Sequence, residues 1–424
     1  MRGVRVGAIV SAAVVAATLM PAAAVGAGRS LVSSADALAG RGDLSGVSCV
    51  SVGACIAVGE TKNGAGTQVT LAERWNGRRW SVQASPNPAG ARSADLSGVS
   101  CVSADACTAV GEDENRAGYT VTLVERWSGR RWAIQASPNP SQDGFPSGHL
   151  YGVSCEAMDA CIAVGDGRGA SGTLATLAER WEGTSWTIQA APNPAAGALA
   201  SHLTSQLFGA SCVSSGACTA VGVAENSGVG VDEGLGGPEL TLAERWDGTS
   251  WAIQSIPDPA GDQDNVDLTG VSCVTAGACT AVGDSTNGGG AQATLAERWD
   301  GTSWTIQATP NPAGDRRSPT TGFNSVSCVS AHACTAVGAH SDRAGTFVTL
   351  AERWNGRRWT IQAIPNPEGA IPTGAQVSGL NGVSCASAQA CVAVGSGSDR
   401  AGRQVTLAER WNGRHWTIQA TPPT

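Results

Sequence analysis

Fourteen cysteines stand in seven pairs, with the two thiols of each pair six positions apart: Cys49/Cys55, Cys101/Cys107, Cys155/Cys161, Cys212/Cys218, Cys273/Cys279, Cys328/Cys334 and Cys385/Cys391. The phrase around the first pair, GVSCVSVGACIAVG, recurs with small changes around the other six. Thiols at this spacing could bind zinc, cycle between thiol and disulfide, or form structural bridges. Zinc takes four ligands, and the chain has only five histidines to complete such sets. A redox couple has no use for seven equivalent copies. Disulfides are the leading reading, one per repeat. If a three-residue turn at Ser51–Gly53 joins two strands, Cys49 falls opposite Cys55, within reach of a bridge. Each bridge would close a short loop and contribute about 2–2.5 kcal/mol by the chain-entropy argument.

A second chemical group recurs with the same period. Glu-Arg-Trp occurs at Glu73/Arg74, Glu125/Arg126, Glu179/Arg180, Glu244/Arg245, Glu297/Arg298, Glu352/Arg353 and Glu409/Arg410. Carboxylates doing acid–base chemistry must converge on one site, and seven equivalent copies do not. A tyrosine nucleophile would need a carboxylate partner and an arginine cluster; Tyr119 and Tyr151 show neither in the sequence. A copper site would need histidine ligands and a free cysteine. His149, His202, His332, His340 and His415 have no ligand spacing, and every cysteine is in a pair. No catalytic residue is assigned.

The elements that must position these groups follow from the repeat itself. The first cysteines are 52 to 61 residues apart, and each unit carries two tryptophans five apart, from Trp75/Trp80 to Trp411/Trp416. Each unit reads as four short strands. In the first unit strand a is Leu44–Val50, strand b is Cys55–Glu60, strand c is Gln68–Trp75 and strand d is Trp80–Ser85. Strands c and d alternate apolar and polar residues. An Asn-Gly, Asp-Gly, Ser-Gly or Glu-Gly turn separates them. Pro86-Asn87-Pro88 ends strand d, since proline cannot continue a ladder. Seven such units predict an all-β, seven-bladed β-propeller with four antiparallel strands and one disulfide per blade. The blades fall at about 44–88, 96–140, 150–194, 207–259, 268–312, 323–367 and 380–424. Adjacent strand residues point to opposite faces, so each Glu should face one neighbouring blade and each Arg the other. A ring of inter-blade ion pairs is the expectation.

The strand order, with a glycine-ended strand b and a Trp-led strand d, resembles kelch-type propellers. The c–d hairpin, as in WDGTSW at Trp246–Trp251, resembles the Asp-box of sialidase-type propellers. Both resemblances span the seven repeats and imply architecture. The double glycine of kelch is single here (Gly59, Gly111, Gly165). The Asp-box has an extra residue between Asp and Gly, and five repeats replace the Asp with Asn, Ser or Glu. Neither resemblance carries an active site over.

Residues 1–27 read as a secretory signal, with Arg2 and Arg5 ahead of the apolar run Val6–Met20 and small residues suited to cleavage. Residues 28–43 would be a linker, with the propeller spanning 44–424. The expectation is a secreted, extracellular chain, free of the membrane after cleavage and monomeric. The net charge is −8, moving to −10 on loss of Arg2 and Arg5, which argues against nucleic acid as a partner. Arg41-Gly42-Asp43 spells an adhesion tripeptide, for which chance is the better account.

Function is sought where the repeats differ. The a–b and c–d hairpins are uniform and share one face; the b–c loops and d–a crossings vary and share the other. One position into strand a stand Ser45, Ser97, Tyr151, Phe208, Thr269, Asn324 and Asn381. Tyr151, Phe208, Thr269, Asn324 and Asn381 are the candidate ligand contacts, with an aromatic pair that could stack on a sugar. Asp232, Glu233, Asp262, Asp264 and Asp267 form an acidic group whose oxygens would suit Ca²⁺, though a solvated loop is the ordinary reading. No other cofactor is implied. The expected function is a non-catalytic binding module near blades 3–5, with a glycan or an extracellular protein as partner. A secreted glycosidase, sialidase-like or oxidase-type enzyme and a purely structural scaffold are the alternatives. If the ring closes by packing blade 1 on blade 7, deleting residues 29–40 will leave the melting temperature nearly unchanged; a drop of many degrees would reveal a latch.

Overall fold

The structure is a computed structural model. It describes residues 41–142, 144–169, 173–194, 203–226, 239–259, 263–287, 289–312, 320–367, 378–399 and 402–424, all within the compact unit Ser33–Thr424. Seven four-stranded sheets succeed one another along the chain, each in the order a-b-c-d. In blade 1 these are Asp43–Ser51, Ala54–Lys62, Gln68–Trp75 and Trp80–Gln83. Strand a starts one residue earlier than its pattern implied, and strand d stops two earlier. There Asn87 of the Pro-Asn-Pro segment turns back, its Oδ1 accepting the Thr70 N–H at 3.0 Å. The c–d turns place glycine at positive φ, from 79° to 99°, where other residues would be strained. A two-strand hairpin that the pattern did not show, Ser141–Gln142 with Phe145–Pro146, sits between blades 2 and 3.

Cys49 lies directly opposite Cys55, and all seven pairs are bridged with Cα–Cα separations of 3.9–4.0 Å. The seven bridges are those the spacing predicted, and the two cysteines of each bridge differ in burial. The first cysteine of each pair, on strand a, is partly buried. The second cysteines, Cys55, Cys107, Cys161, Cys218, Cys279, Cys334 and Cys391, are only 2–3% exposed and belong to the hydrophobic core. The reason is topological. Strand b is flanked by strands a and c within its sheet, and neighbouring blades cover both faces of that sheet. Cys107, Cys279, Cys334 and Cys391 are therefore packing and cross-linking residues of the blade interior, out of reach of a ligand. Such bridges belong to an oxidising compartment. No helix among the described residues is long and apolar enough to cross a membrane.

The hydrophobic core lies between blades. Leu71, Trp75 and Trp80 of blade 1 pack on Val394 and Ala408 of blade 7, while Ile56, Val58 and Ala72 pack on Leu96 and Trp127 of blade 2. One face of each sheet thus serves the preceding blade and the other face the following one. Burying a leucine or tryptophan here contributes on the order of 2–3 kcal/mol, and the pattern repeats at every interface.

Around the axis the innermost strands approach very closely. A Cβ on Gly46 would stand 2.9 Å from the Ser97 carbonyl oxygen, and one on Gly98 2.6 Å from that of Tyr151. A ring of hydrogen bonds follows. The N–H of Cys101 donates to Ser48 Oγ at 3.0 Å, Cys155 to Ser100, Cys212 to Ser154 and Cys273 to Ser211 at 2.9 Å, and Cys328 to Ser272 and Cys385 to Ser327 at 3.0 Å. The seventh, Cys49 N–H to Ser384 Oγ at 2.9 Å, joins the two ends of the ring. No strand is exchanged between the termini in the described sheets. Arg41 adds a single bridge to Val405, and its carbonyl accepts from Thr61 and Thr424 hydroxyls at 2.8 and 2.6 Å. The Arg41-Gly42-Asp43 tripeptide is therefore part of this seam, with Asp43 mostly buried and bonded to Asn381.

The expected ring of Glu–Arg ion pairs is not formed. Each Glu faces the preceding blade and each Arg the following one, as strand alternation requires. Six of the seven arginines lie over tryptophan rings of the next blade instead, as Arg126 over Trp181 at 5.1 Å, Arg245 over Trp299 at 4.8 Å and Arg353 over Trp411 at 4.9 Å. The glutamates stay deeper in the interface, fully buried, and none pairs with an arginine among the described residues. If the serine ring is what closes the propeller, Ser384→Ala will cost about 1–2 kcal/mol, since the Cys49 N–H loses its acceptor. Urea unfolding will show this; an unchanged midpoint would place closure elsewhere.

Candidate functional site

The site begins with a kink in strand a. Leu44 pairs with Gly59 and Gly46 with Val58, so Ser45 between them has no partner. The same slip leaves Ser97, Tyr151, Phe208, Thr269, Asn324 and Asn381 unpaired in the other blades. Such a bulge re-aims its extra residue. It also explains the single glycine of strand b: a Cβ on Gly59 would stand 2.0 Å from the Asp43 carbonyl oxygen. All seven bulge residues line one cavity of about 210 Å³ on the axis.

The candidate residues thus share a site, but they do different things in it. The Tyr151 and Phe208 rings meet edge to face at 5.5 Å on adjacent blades. Thr269 donates to the Phe323 carbonyl of blade 6 at 2.7 Å, and Asn324 Nδ2 to the Leu380 carbonyl of blade 7 at 2.9 Å. Asn381 Nδ2 donates to Asp43 Oδ1 at 2.8 Å and so ties blade 7 to blade 1. On blades 5 to 7 the bulge donors fasten neighbouring blades, while on blades 3 and 4 the bulge carries rings.

Beside the cavity is a layer that the sequence reading missed. The residue before the bulge leucine pairs with the residue after the strand-b glycine, giving Asp43 with Glu60, Asp95 with Glu112, His149 with Asp166, and Asp267 with Asp284. Blade 4 places Gln206 opposite Val223, and blades 6 and 7 place Gly322 opposite Ala339 and Gly379 opposite Ser396. The signal was available: one member of each pair directly follows the strand-b glycine that every repeat keeps. It was hidden because their importance depends on the bulge, which only strand pairing reveals.

Blades 2 to 4 join this layer into one network. Tyr151 Oη donates to Asp166 Oδ2 at 3.0 Å and lies 3.0 Å from His149 Nδ1. Gln206 Nε2 donates to the same Asp166 oxygen at 2.6 Å. His149 Nε2 lies 3.3 Å from Glu112 Oε2. Burial and the charges of Glu112 and Glu60 push Asp95 up to about 7, and burial raises Glu112. Burial pushes Asp43 up to about 6. On blade 5, burial and the Asp267 charge push Asp284 up to about 7. The hydrogen bond to Asp166 raises His149, helped by the charges of Glu112, Asp166 and Asp95. Tyr151 is raised further from its ordinary range, first by burial and then by the Asp166 charge.

Tyr151 therefore has the carboxylate partner that the sequence did not show. The partner's charge opposes ionisation of the phenol, so the arrangement makes Tyr151 a hydrogen-bond donor rather than a nucleophile. Among the described residues, no arginine or lysine lines the cavity.

Of the proposed Ca²⁺ ligands, Asp232, Glu233 and Asp262 lie outside the described residues, as does the side chain of Asp264. Asp267 stands opposite Asp284 in the strand pairing and its Oδ1 accepts the Asp284 N–H at 3.4 Å, while Asp284 Oδ2 takes a hydrogen bond from Gln292. No group of three or more His, Cys, Asp or Glu side chains that could hold a metal occurs among the described residues. If Asp166 orients the site, Asp166→Asn will move the His149 titration to lower pH, as followed by NMR of its ring protons. An unmoved titration would show that the pair is not coupled.

No family model and no curated protein matches this sequence. Solved structures share its fold. The BP39L lectin from Burkholderia pseudomallei is 15% identical, with a TM-score of 0.53 over 90% of this chain and 100% of that one. A fucose-specific lectin from Aleuria aurantia is 11% identical, with a TM-score of 0.42 over 77% of this chain and 95% of that one. A sialidase from Trypanosoma rangeli is 12% identical, with a TM-score of 0.40 over 86% of this chain and 53% of that one. With the lectin from Burkholderia the likeness is one of fold: this chain is a seven-bladed β-propeller with one disulfide in each blade.

Proposed function

We propose that this protein is a secreted carbohydrate-binding propeller that holds a glycan at the mouth of its axial cavity and performs no chemistry on it. The observation that carries this reading is the Tyr151–Phe208 pair, which lines the cavity and is tied through Asp166 to His149 and Gln206. Saccharides present apolar C–H faces beside dense hydroxyl groups. Aromatic rings suit the first and carboxylate and amide groups the second. Blades 6 and 7 carry only Gly322, Ala339, Gly379 and Ser396 in the polar layer, so its charged groups come from blades 1, 2, 3 and 5. The lectin character named for the Burkholderia propeller agrees with this reading as a similarity of fold. The apolar N-terminal segment and the seven disulfides support export.

The enzyme alternative rests on Tyr151 and Asp166. It asks for a phenol that ionises readily, whereas the surroundings of Tyr151 raise its pKa. The test is a glycan array probed with the full secreted chain. Tyr151→Ala combined with Phe208→Ala will weaken the captured glycan at least about thirtyfold, the loss of roughly 2 kcal/mol expected for a central aromatic contact. Thr249→Ala, in a c–d turn on the other face, will leave binding unchanged. Binding that survives the mouth variants and fails in the turn variant would reverse the assignment of faces. Release of a shortened glycan would establish an enzyme.

A further inference from the structure

Every blade interface buries one carboxyl group that, among the described residues, no cation neutralises. The glutamates of the seven Glu-Arg-Trp triplets are wholly shielded from solvent. Their surroundings on their own blade are apolar: Glu73 stands between Ala57 on strand b and Val82 on strand d, and Glu297 between Ala281 and Ile306. From the preceding blade come hydroxyls at best. Ser85 donates to Glu125 at 2.8 Å and Ser137 to Glu179 at 2.6 Å, while Thr176 lies against Glu244. At the Ser85 position, blades 4 and 6 have Ile256 and Ile364. Glu297 and Glu409, the glutamates of the blades that follow, have no hydrogen-bond partner on either oxygen.

The charged groups near these interfaces do not relieve the burial. The arginine of the preceding blade shares each interface, yet at six of the seven its guanidinium sits over a tryptophan ring, as Arg245 does over Trp299 beside Glu297. The one further charge acting on any of the seven is another carboxylate, Asp258, which opposes ionisation of Glu297. A carboxylate held this way would be a buried, unpaired charge. A carboxylic acid is neutral and brings a proton to donate.

We propose that the seven glutamates act as acid-locked joints: as neutral acids they hold blade against blade, and their ionisation loosens the ring, so the propeller tightens in acidic surroundings and relaxes in alkaline ones. Burial pushes Glu125 up to about 7, Glu73, Glu179, Glu244, Glu297 and Glu352 to about 8, and Glu409 well above its ordinary value. A folded pKa above the unfolded one means that the native chain binds more protons between the two values. Stability is then complete below the ordinary carboxyl range and declines as pH rises from that range through the raised values.

The mouth carboxylates Asp95 and Asp284 titrate in the same direction, so the test is made with both replaced by asparagine. In that background, urea unfolding with disulfides intact will show a midpoint that falls steadily from pH 5 to pH 9. Glu297→Gln, which keeps the shape and removes the titration, will raise the midpoint at pH 9. It will also flatten the dependence, by up to about a tenfold change in the unfolding constant per pH unit. The infrared band of a protonated carboxyl group should be present at pH 6 in the folded background protein and weaker in Glu297→Gln. Equal pH slopes with and without Glu297 would overturn the proposal. If the glutamine variant does not fold, absence of the carboxyl band from the folded background protein would overturn it.

Discussion

Seven strands cannot stand side by side around one axis unless their backbones nearly touch, and the rest of this fold follows from that constraint. Gly46, Gly98 and Gly152 occupy positions where even a methyl group would meet the next blade's carbonyl oxygen within 3 Å. The chain then uses the closeness. In each blade the residue before the first cysteine is a serine, and its hydroxyl accepts the following blade's cysteine N–H. The disulfide pins that cysteine to strand b, so the N–H is held where the serine expects it. The bridge thus acts through geometry as much as through chain entropy.

Moving outward, the wedge between blades widens and its contents change in order. Glycine and serine fill the narrow end. Leucine, valine and alanine make the core, with one buried glutamate among them. Tryptophan pairs, 5.7–5.9 Å apart, fill the wide end under an arginine from the preceding blade at most interfaces. Glutamate and arginine are neighbours in sequence but serve opposite interfaces. Within an interface they come from different blades and lie at different depths, which is why charge complementarity along the chain does not become ion pairing in space.

The proposed binding site lies where the symmetry is broken. The bulge aims seven residues into one cavity, and only on blades 3 and 4 are they aromatic. Burial first, and then the Asp166 carboxylate that orients Tyr151, keep its phenol protonated, so one arrangement gives a positioned donor and opposes a nucleophile. On blades 5 to 7, threonine and asparagine at the same position are committed to their neighbours. Equivalent positions in a repeat need not have equivalent roles.

The sequence alone determined the number of blades, the strand order, the disulfide pairing and the positions facing the axis, because all of these are local and repeat seven times. Cys49 opposite Cys55, the Asn-Gly-type turn and the stop at Pro86 each depend on a few adjacent residues. It could also place Tyr151 and Phe208 together, since equal positions on adjacent blades must be neighbours. The tertiary structure decided what depends on pairing between distant residues. The bulge at Ser45 is invisible without the register against Gly59, and with it the acidic layer of Asp95, Glu112, His149 and Asp166. The partner of Tyr151 is fifteen residues away on another strand. The fate of the glutamates was likewise open, because strand alternation says which blade a side chain faces but not how deep in the wedge it lies, and depth decides whether a carboxyl group finds a cation.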